Sequence, residues 1–286
     1  MDISGSYLKL DRPARVLVLA DMHVCDAYGL LPNDWVSSSG NTIGQNHAQE
    51  YLGKCWAHFV SVLPPFDVLL LNGDIVTGNN KFDAGIDLSE IDESFQARAA
   101  IKLLEPVVEK LVPWNGGRKR IYMTRGSKYH VGIAGRNEEG IGNNFGVIQA
   151  ANGRSCHYHL RTAVNGRVLD VGHRQSYMMR YRSSALEREI EFAIDRATRN
   201  HETAPQIIIR SHIHVGVRVW DEGEYVAIST PCWKLQDEFA LTSITPNRMA
   251  PDHLGAVMIE IYPDPEYGRY WDIRKFLYET PKHEVY

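Results

Sequence analysis

Cysteine is scarce in this sequence, and the few cysteines do not have the spacing of a thiolate metal site. The chain has 286 residues and only 4 cysteines, Cys25, Cys55, Cys156 and Cys232. Scattered cysteines without a Cys-x-x-Cys pair are typical of proteins that fold in a reducing compartment. The sequence therefore argues against a disulfide framework and against a zinc site built from thiolates.

Long apolar runs and an excess of positive charge are also missing. No run is long enough to cross a bilayer, and residues 1–15 lack the apolar core of a signal peptide. We therefore expect a soluble, cytoplasmic protein that does not enter a membrane. The formal net charge is −4 at pH 7, whereas a dedicated nucleic-acid-binding domain is usually strongly basic. The overall charge gives no support for such a domain, although a local basic cleft stays open.

The remaining composition is that of an ordinary globular protein. Apolar residues make up 44% of the chain and charged residues 23%, both typical values. The length is close to the size at which single cores stop growing, but no linker, repeat or low-complexity stretch divides the sequence. We expect one domain over residues 1–286, in which residues 231–286 supply closing strands and a tail.

Short apolar runs alternate with helical patterns through most of the chain. The apolar runs predict buried strands at 16–20, 67–71, 120–124, 167–171 and 206–210. Apolar stripes at helical spacing predict helices at 45–63, 92–111 and 185–200. Pro106 is expected to bend the second of these helices or to mark a break in it. Asn165 and Gly166 suit the type I′ turn of a hairpin. The segments 215–221, 225–230, 255–262 and 270–278 are predicted to be antiparallel strands.

Candidate metal-binding residues follow the ends of these apolar strands. They are Asp21 and His23, Asp74, the segment 126–130, His173, and His212 with His214. In open α/β sheets ligands bind outside the carboxyl ends of the strands, so we expect five loops to converge on one edge. Carboxylates and imidazoles suit a divalent cation that activates water without thiolate ligands. Two aspartates and four histidines are enough to hold two such cations.

The order of these residues resembles the calcineurin-like metallophosphoesterase family. Its pattern reads Asp-x-His, Gly-Asp, Gly-Asn-His, an isolated His, and Gly-His-x-His. The matching segments here are Asp21-Met22-His23, Gly73-Asp74, Arg125-Gly126-Ser127-Lys128-Tyr129-His130, His173, and Ser211-His212-Ile213-His214. The resemblance covers residues 15–230. The third motif departs from the pattern, since Ser127 stands nearest to the family's Asn and His130 follows only after a short insertion.

The resemblance implies a fold, an activity and a set of ligands. The fold is a four-layer αββα sandwich of the α/β (α+β) class, and the activity is hydrolysis of a phosphoester by a metal-activated hydroxide. The implied ligands are Asp21, His23 and His214 for the first metal, Asp74 as bridging carboxylate, and His173 and His212 for the second metal. Mn²⁺, Fe, Zn²⁺ and Ni²⁺ are all compatible with these ligands. His130 is the candidate general acid that protonates the leaving group.

Arg174 directly follows His173 and begins a run in which arginines and tyrosines are interleaved up to residue 182. Arginine clamps phosphates and tyrosine stacks on bases, although such a run before a helix is also typical of a solvated surface. We take Arg174 as the candidate substrate contact. A phosphodiester, within that class a nucleotide or a nucleic acid, is preferred to a monoester.

Two other functions stay open. The altered third motif is compatible with a binding or scaffold protein that has kept the fold and lost turnover. A nuclease that acts within a larger complex is the other alternative, and the acidic overall charge argues against a nuclease that works alone. Metal content together with hydrolysis assays separates these functions.

Overall fold

The computed structural model describes residues 7–79, 85, 87–114, 116–131, 135–174, 184–219, 224–236, 253–266 and 269–281. The strands are β1 (Tyr7–Leu8), β2 (Ala14–Leu19), β3 (Trp35–Val36), β4 (Thr42–Ile43), β5 (Val68–Asn72), β6 (Ile121–Thr124), β7 (Cys156–His157), β8 (Leu160–Val164), β9 (Arg167–Arg174), β10 (Ile207–Ser211), β11 (Val217–Val219), β12 (Val226–Ser229), β13 (Leu254–Glu266) and β14 (Arg269–Tyr278). The helices are α1 (His47–Val62), α2 (Glu93–Glu109), α3 (Lys128–Val131), α4 (Arg136–Phe145) and α5 (Ser184–Asn200).

Most of the strands form two six-stranded mixed sheets. The first sheet has the order β14-β13-β2-β5-β6-β7 and the second has the order β1-β8-β9-β10-β12-β11. In the first sheet β2, β5 and β6 are parallel, and in the second sheet β9, β10 and β12 are parallel. The central strands are buried on both faces, which explains why they read as continuous apolar runs in the sequence.

Three apolar cores define the layers. The core between the sheets includes Val16, Val18, Val68, Leu70, Leu169, Val171, Ile207, Ile209 and Ile228. Alternate residues of the first sheet, such as Leu17 and Leu69, face the other way and pack on α1, α2 and α4. Helix α5 covers the outer face of the second sheet, where Leu186 and Ile190 pack against Ile208. The layers are helix, sheet, sheet, helix, so the predicted four-layer αββα sandwich of the α/β class is confirmed.

Several predictions of single elements need correction. Strand β12 was expected to be purely antiparallel, but it pairs parallel with β10 and antiparallel with β11. Pro106 lies inside α2, which continues through it to Glu109 without a break. Helix α4 was not predicted, because three glycines and two adjacent asparagines within 136–146 hide its helical pattern. Within the described residues, no helix combines the length and the apolarity that crossing a membrane requires.

The hairpin between β8 and β9 turns at Asn165 and Gly166, as predicted. Both residues have positive φ, 47° and 77°, which a type I′ turn requires at its two central positions. The Asn165 side chain also accepts a hydrogen bond from Leu10 N at 2.8 Å and donates to the carbonyl of Ile261 at 2.8 Å. The turn therefore sets the register of the hairpin and ties it to β13.

Two glycine-to-alanine changes test this backbone analysis with opposite signs. A Cβ at Gly166 or at Gly140 in α4 would meet no atom within 4 Å. The two substitutions therefore differ only in the backbone conformation at which the alanine is placed. We expect Gly166→Ala to lower the free energy of unfolding by about 1–2 kcal/mol because of its positive φ. Gly140→Ala should raise it by about 0.5–1 kcal/mol. Denaturant unfolding measures both, and shifts of the same sign would contradict the turn assignment.

Candidate metal centre

The two sheets meet at the carboxyl ends of their parallel strands, and hydrogen bonds across this edge join them. Asn72, the last residue of β5, donates to Gly172 O at 3.2 Å and to Ser211 Oγ at 2.6 Å. Its own side-chain oxygen accepts from Thr124 Oγ1 at 2.5 Å. One buried amide thus fastens β5 to β6 in its own sheet and to β9 and β10 in the other. The six predicted metal-binding residues lie around this junction.

Five of these six residues have backbone conformations that L-amino acids rarely adopt. The φ angles are 49° at Asp21, 43° at His23, 50° at Asp74, 76° at His212 and 57° at His214. A left-handed backbone costs about 1–2 kcal/mol for a residue other than glycine, and such residues cluster at functional sites. The loops turn sharply directly after the strands and bring the side chains back over the sheet edge. His173 differs from the other five. The sequence predicted that it follows a strand, but it lies inside β9.

Asp21, His23 and His214 form the first group of facing ligand atoms. The Nε2 atoms of the two histidines are 3.1 Å apart. Oδ1 of Asp21 lies 3.9 Å from Nε2 of His23 and 3.6 Å from Nε2 of His214. Burial, followed by the neighbouring His130 and Lys234, lowers the pKa of His23 well below its usual value. His23 is therefore a neutral imidazole, which is the form in which histidine can bind a metal.

Asp74, His173 and His212 form the second group. Nε2 of His173 lies 2.9 Å from Oδ2 of Asp74 and 3.3 Å from Nδ1 of His212. The other ring nitrogen, Nδ1 of His173, donates to the Asn72 carbonyl at 2.8 Å. In the neutral ring this bond leaves the lone pair on Nε2, where it faces the Asp74 carboxylate. Oδ1 of Asp21, at 4.0 Å from Nε2 of His173, connects this group with the first one.

The donor set fits divalent cations. Two nitrogen ligands at about 2.1 Å from one tetrahedral zinc ion lie about 3.4 Å apart, close to the separations in both groups. The buried atoms Asp21 Oδ1, His23 Nδ1 and Asp74 Oδ2 have no partner with hydrogen-bond geometry among the described residues. Burial alone would lower the pKa of His173, but the Asp74 carboxylate outweighs it and raises the pKa to about 10. The His173 ring therefore holds a proton, whose positive charge is stabilised by the Asp74 carboxylate.

Backbone amides orient both carboxylates. Oδ2 of Asp21 accepts from the His212 amide at 3.0 Å, and Oδ1 of Asp74 accepts from the Ser127 amide at 2.7 Å. In each carboxylate one oxygen is held in this way while the other faces the ligand group. This arrangement of ligand and supporting bond is characteristic of built metal sites.

The third loop approaches Asp74 at its backbone. A Cβ at Gly126 would lie 2.2 Å from Oδ1 of Asp74, so only glycine fits there. Ser127 is the residue nearest to the Asn of the Gly-Asn-His motif in the pattern that the sequence resembles. Its Oγ lies 3.2 Å from Oδ1 of Asp74. The Ser127 side chain therefore supports Asp74.

His130 lies beside both groups. Its ring centroid is 4.3 Å from that of His23, and one ring nitrogen can share a cation with ligand atoms of His23 and Asp74. Nδ1 of His130 lies 2.9 Å from the carbonyl oxygen of Thr77, which accepts its proton and leaves Nε2 to face the site. No acidic residue follows His130 in the sequence that could hold its ring in place. The ring is oriented by the Thr77 carbonyl.

Sequence reasoning missed Asn72, Thr77 and Glu138. Glu138, on α4, is fully buried, and its carboxylate accepts from the Ile75 amide at 3.2 Å and the Gly126 amide at 2.8 Å. Burial, together with the Asp74 carboxylate, raises the pKa of Glu138 to about 7. The only hint of Glu138 in the sequence is its place beside a second acidic residue, Glu139, in a polar segment. Such a pair does not show that one of the two carboxylates is buried.

Arg174 ends β9 next to His173, and its side chain is exposed. The rest of its arginine and tyrosine run, residues 175–182, lies outside the described residues. Trp233 is fully buried and packs edge-to-face against Trp56 in the outer core of the first sheet, with ring centroids 4.9 Å apart.

Comparisons with known proteins give remote structural similarities. No family model and no curated protein matches the chain. Vacuolar Protein Sorting 29 from Cryptosporidium parvum is 10% identical with a TM-score of 0.44, and the match covers 94% of this chain and 100% of that one. Vps29 from Entamoeba histolytica, solved in complex with Zn²⁺, is 9% identical with a TM-score of 0.39 over 92% and 99% of the two chains. A predicted phosphoesterase from Streptococcus pneumoniae TIGR4 is 12% identical with a TM-score of 0.35 over 92% and 98%. Similarity at this level does not establish a family, so function is inferred from the site.

Substitution of Asp21 tests whether the facing atoms bind a cation. Metal that binds only the folded state raises the stability by about 2.7 kcal/mol at 100 times the dissociation constant. We expect MnCl₂ to raise the thermal midpoint of the wild type and to raise that of Asp21→Asn by less than half as much. Asp34→Asn is a matched control, because Asp34 is exposed and also has a positive φ of 51°. Equal metal-induced shifts for all three proteins would contradict the site.

Proposed function

We propose that this chain is a metal-dependent phosphoesterase whose centre holds two divalent cations. The observation that carries the proposal is the arrangement of the two ligand groups, in which buried carboxylate and imidazole lone pairs face each other. Asp21 Oδ1 lies within 4.0 Å of His173 Nε2, so the groups adjoin. Two adjoining cation positions built from oxygen and nitrogen suit phosphoryl transfer to water. Asp21, His23 and His214 hold the first cation, His173 and His212 hold the second, and Asp74 serves both.

Each element of the site has a part in such a hydrolysis. When bound, two cations supply hydroxide at neutral pH and neutralise the charge that develops on the phosphoryl oxygens. The protein fixes the carboxylates of Asp21 and Asp74 through the amides of His212 and Ser127. The Asn72 carbonyl holds the His173 ring in the tautomer that directs Nε2 inward. These contacts keep the ligands in place before a substrate arrives, which is the condition for electrostatic catalysis.

His130 is the general acid in this proposal. Its Nδ1 proton is committed to the Thr77 carbonyl, so a proton for the leaving oxygen would have to come from Nε2. The ring lies next to His23 and Asp74, hence beside the space between the two cation positions. A protonated imidazole at that place donates to the departing alkoxide or phenoxide.

Arg174 is proposed to contact the substrate phosphate. It follows His173 directly and is paired in register with Ser211, the residue before His212, so it lies at the margin of the second group. An exposed guanidinium at that margin can pair with a non-bridging phosphate oxygen. A diester, including a nucleotide or a nucleic-acid strand, is preferred because Arg174 begins a run of interleaved arginines and tyrosines, residue types that clamp phosphates and stack on bases.

Metal analysis and two chromogenic esters test the function. We expect purified protein to contain or take up two equivalents of Mn²⁺, Fe, Zn²⁺ or Ni²⁺ and to hydrolyse bis-p-nitrophenyl phosphate faster than p-nitrophenyl phosphate. Asp74→Asn should reduce the turnover more than about 100-fold, because the amide cannot supply the negative charge that both cations share. Asp34→Asn should not change it, because Asp34 is exposed and belongs to neither ligand group.

The outcomes separate the alternatives. Full activity of Asp74→Asn would overturn the two-cation proposal. Bound metal without hydrolysis of either ester would favour the scaffold function, which the use of Ser127 to support Asp74 also fits. Cleavage of single- or double-stranded DNA or RNA with Mn²⁺, weakening as salt increases, would favour the nuclease.

Replacement of His130 tests its role through the leaving group. We expect His130→Ala to lower the turnover of diphenyl phosphate by about 100-fold or more, because phenolate is a strong base that needs a proton to leave. The loss for bis-p-nitrophenyl phosphate should be much smaller, since p-nitrophenolate leaves without one. His47→Ala is the control, because that side chain is 92% exposed. Equal losses for the two esters would assign His130 a structural or binding role.

A further inference from the structure

Glu138 occupies a position that the proposed hydrolysis does not use. It lies on α4, its side chain is fully buried, and the structure places it behind the ligand loops. A buried carboxylate is costly unless hydrogen bonds or cations compensate it. Here both oxygens are engaged by backbone amides, Oε1 by Ile75 N at 3.2 Å and Oε2 by Gly126 N at 2.8 Å.

The two amides belong to the two loops that meet at Asp74. Ile75 directly follows Asp74, and Gly126 directly precedes Ser127, whose amide binds Asp74 Oδ1 at 2.7 Å. The contacts close a ring that runs from Glu138 through Ile75 to Asp74, across to Ser127, and back through Gly126 to Glu138. Within this ring the Asp74 carboxylate cannot turn away from the second ligand group without breaking one of the three hydrogen bonds.

We infer that Glu138 is a positioning residue of the metal centre, which locks the loops of Asp74 and Ser127 together so that the Asp74 carboxylate is set for cation binding. The inference rests on the proposed function in taking Asp74 as a metal ligand. A carboxylate is required because it offers two acceptors to two amide donors, whereas glutamine has one acceptor and would direct an NH₂ group at the other amide.

Glu139 provides a matched control on the same helix. Its Oε2 accepts from the Ser155 amide at 2.8 Å, so Glu139→Gln also disturbs a carboxylate-to-amide bond. That bond joins α4 to the segment before β7 and does not involve a ligand loop. The neighbouring substitutions therefore separate an effect on the metal site from a general effect on helix packing.

The experiment measures the dissociation constant of Mn²⁺ for the wild type, Glu138→Gln and Glu139→Gln by calorimetry, with the unfolding midpoint of each metal-free protein. Supporting bonds of this kind are worth about 10–100-fold in metal affinity. We expect a dissociation constant 10–100-fold higher for Glu138→Gln and one within twofold of wild type for Glu139→Gln. In saturating Mn²⁺, Glu138→Gln should recover most of the wild-type kcat. Unchanged affinity in Glu138→Gln, or equal losses in both variants, would overturn the inference.

Hydrogen exchange of the metal-free wild type provides a second measurement if Glu138→Gln does not fold. We expect slow exchange in peptides that contain the amides of Ile75, Gly126 and Ser127, and exchange as fast as in an unstructured peptide would overturn the inference. A wild type that binds Mn²⁺ but hydrolyses neither ester would refute the phosphoesterase, and the affinities would still decide the role of Glu138. A wild type that binds no metal would refute both.

Discussion

The structure depends most on the need for positive charge among carboxylates and imidazoles that face one another in a largely buried space. Asp21 and Asp74 are buried and each directs one oxygen at histidine nitrogens, while Glu138 adds a third carboxylate behind them. Without positive charge between these atoms, the arrangement would be unfavourable in a medium of low polarity. Against the effect of burial, the Asp74 carboxylate raises the pKa of His173 to about 10, so the ring holds a proton where positive charge is needed. In the proposed function, a bound cation would meet the same requirement.

A site of this kind cannot be held by the ligand loops alone, because their backbone is strained. Five ligand residues have positive φ, and each strained residue must be stabilised by contacts elsewhere. Some of these contacts join the two loops to each other: the Asp21 amide donates to Gly73 O at 3.0 Å and the His23 amide donates to Asp74 O at 3.1 Å. Asn72 then fixes the first sheet against the second. The core between the sheets therefore contributes directly to the positions of the ligands.

The sequence predicted those parts of this arrangement that depend on local patterns. Apolar runs located β2, β5 and β6 to within two residues at each end. The candidate ligand residues were suggested by their chemistry, by the family resemblance and, for all but His173, by their places after strands. The supporting residues could not be found in this way. Glu138 contacts residues 12 and 63 positions away, and Thr77 orients a histidine 53 positions away. A carboxylate or a carbonyl has no local pattern that marks such a contact, because the fold alone brings the partners together.

The altered third loop illustrates how long-range contacts replace a motif. The loop offers no amide side chain to a cation, but Ser127 and Gly126 connect it to Asp74 and Glu138. Likewise no acid follows His130, and the carbonyl of Thr77 takes over the orientation of its ring. Thr77 lies three residues after Asp74, so the segment that carries the proposed shared ligand also positions the candidate acid. In the proposed function, a displacement of this segment would affect metal binding and proton transfer together, and Glu138 holds the segment at Ile75, directly after Asp74.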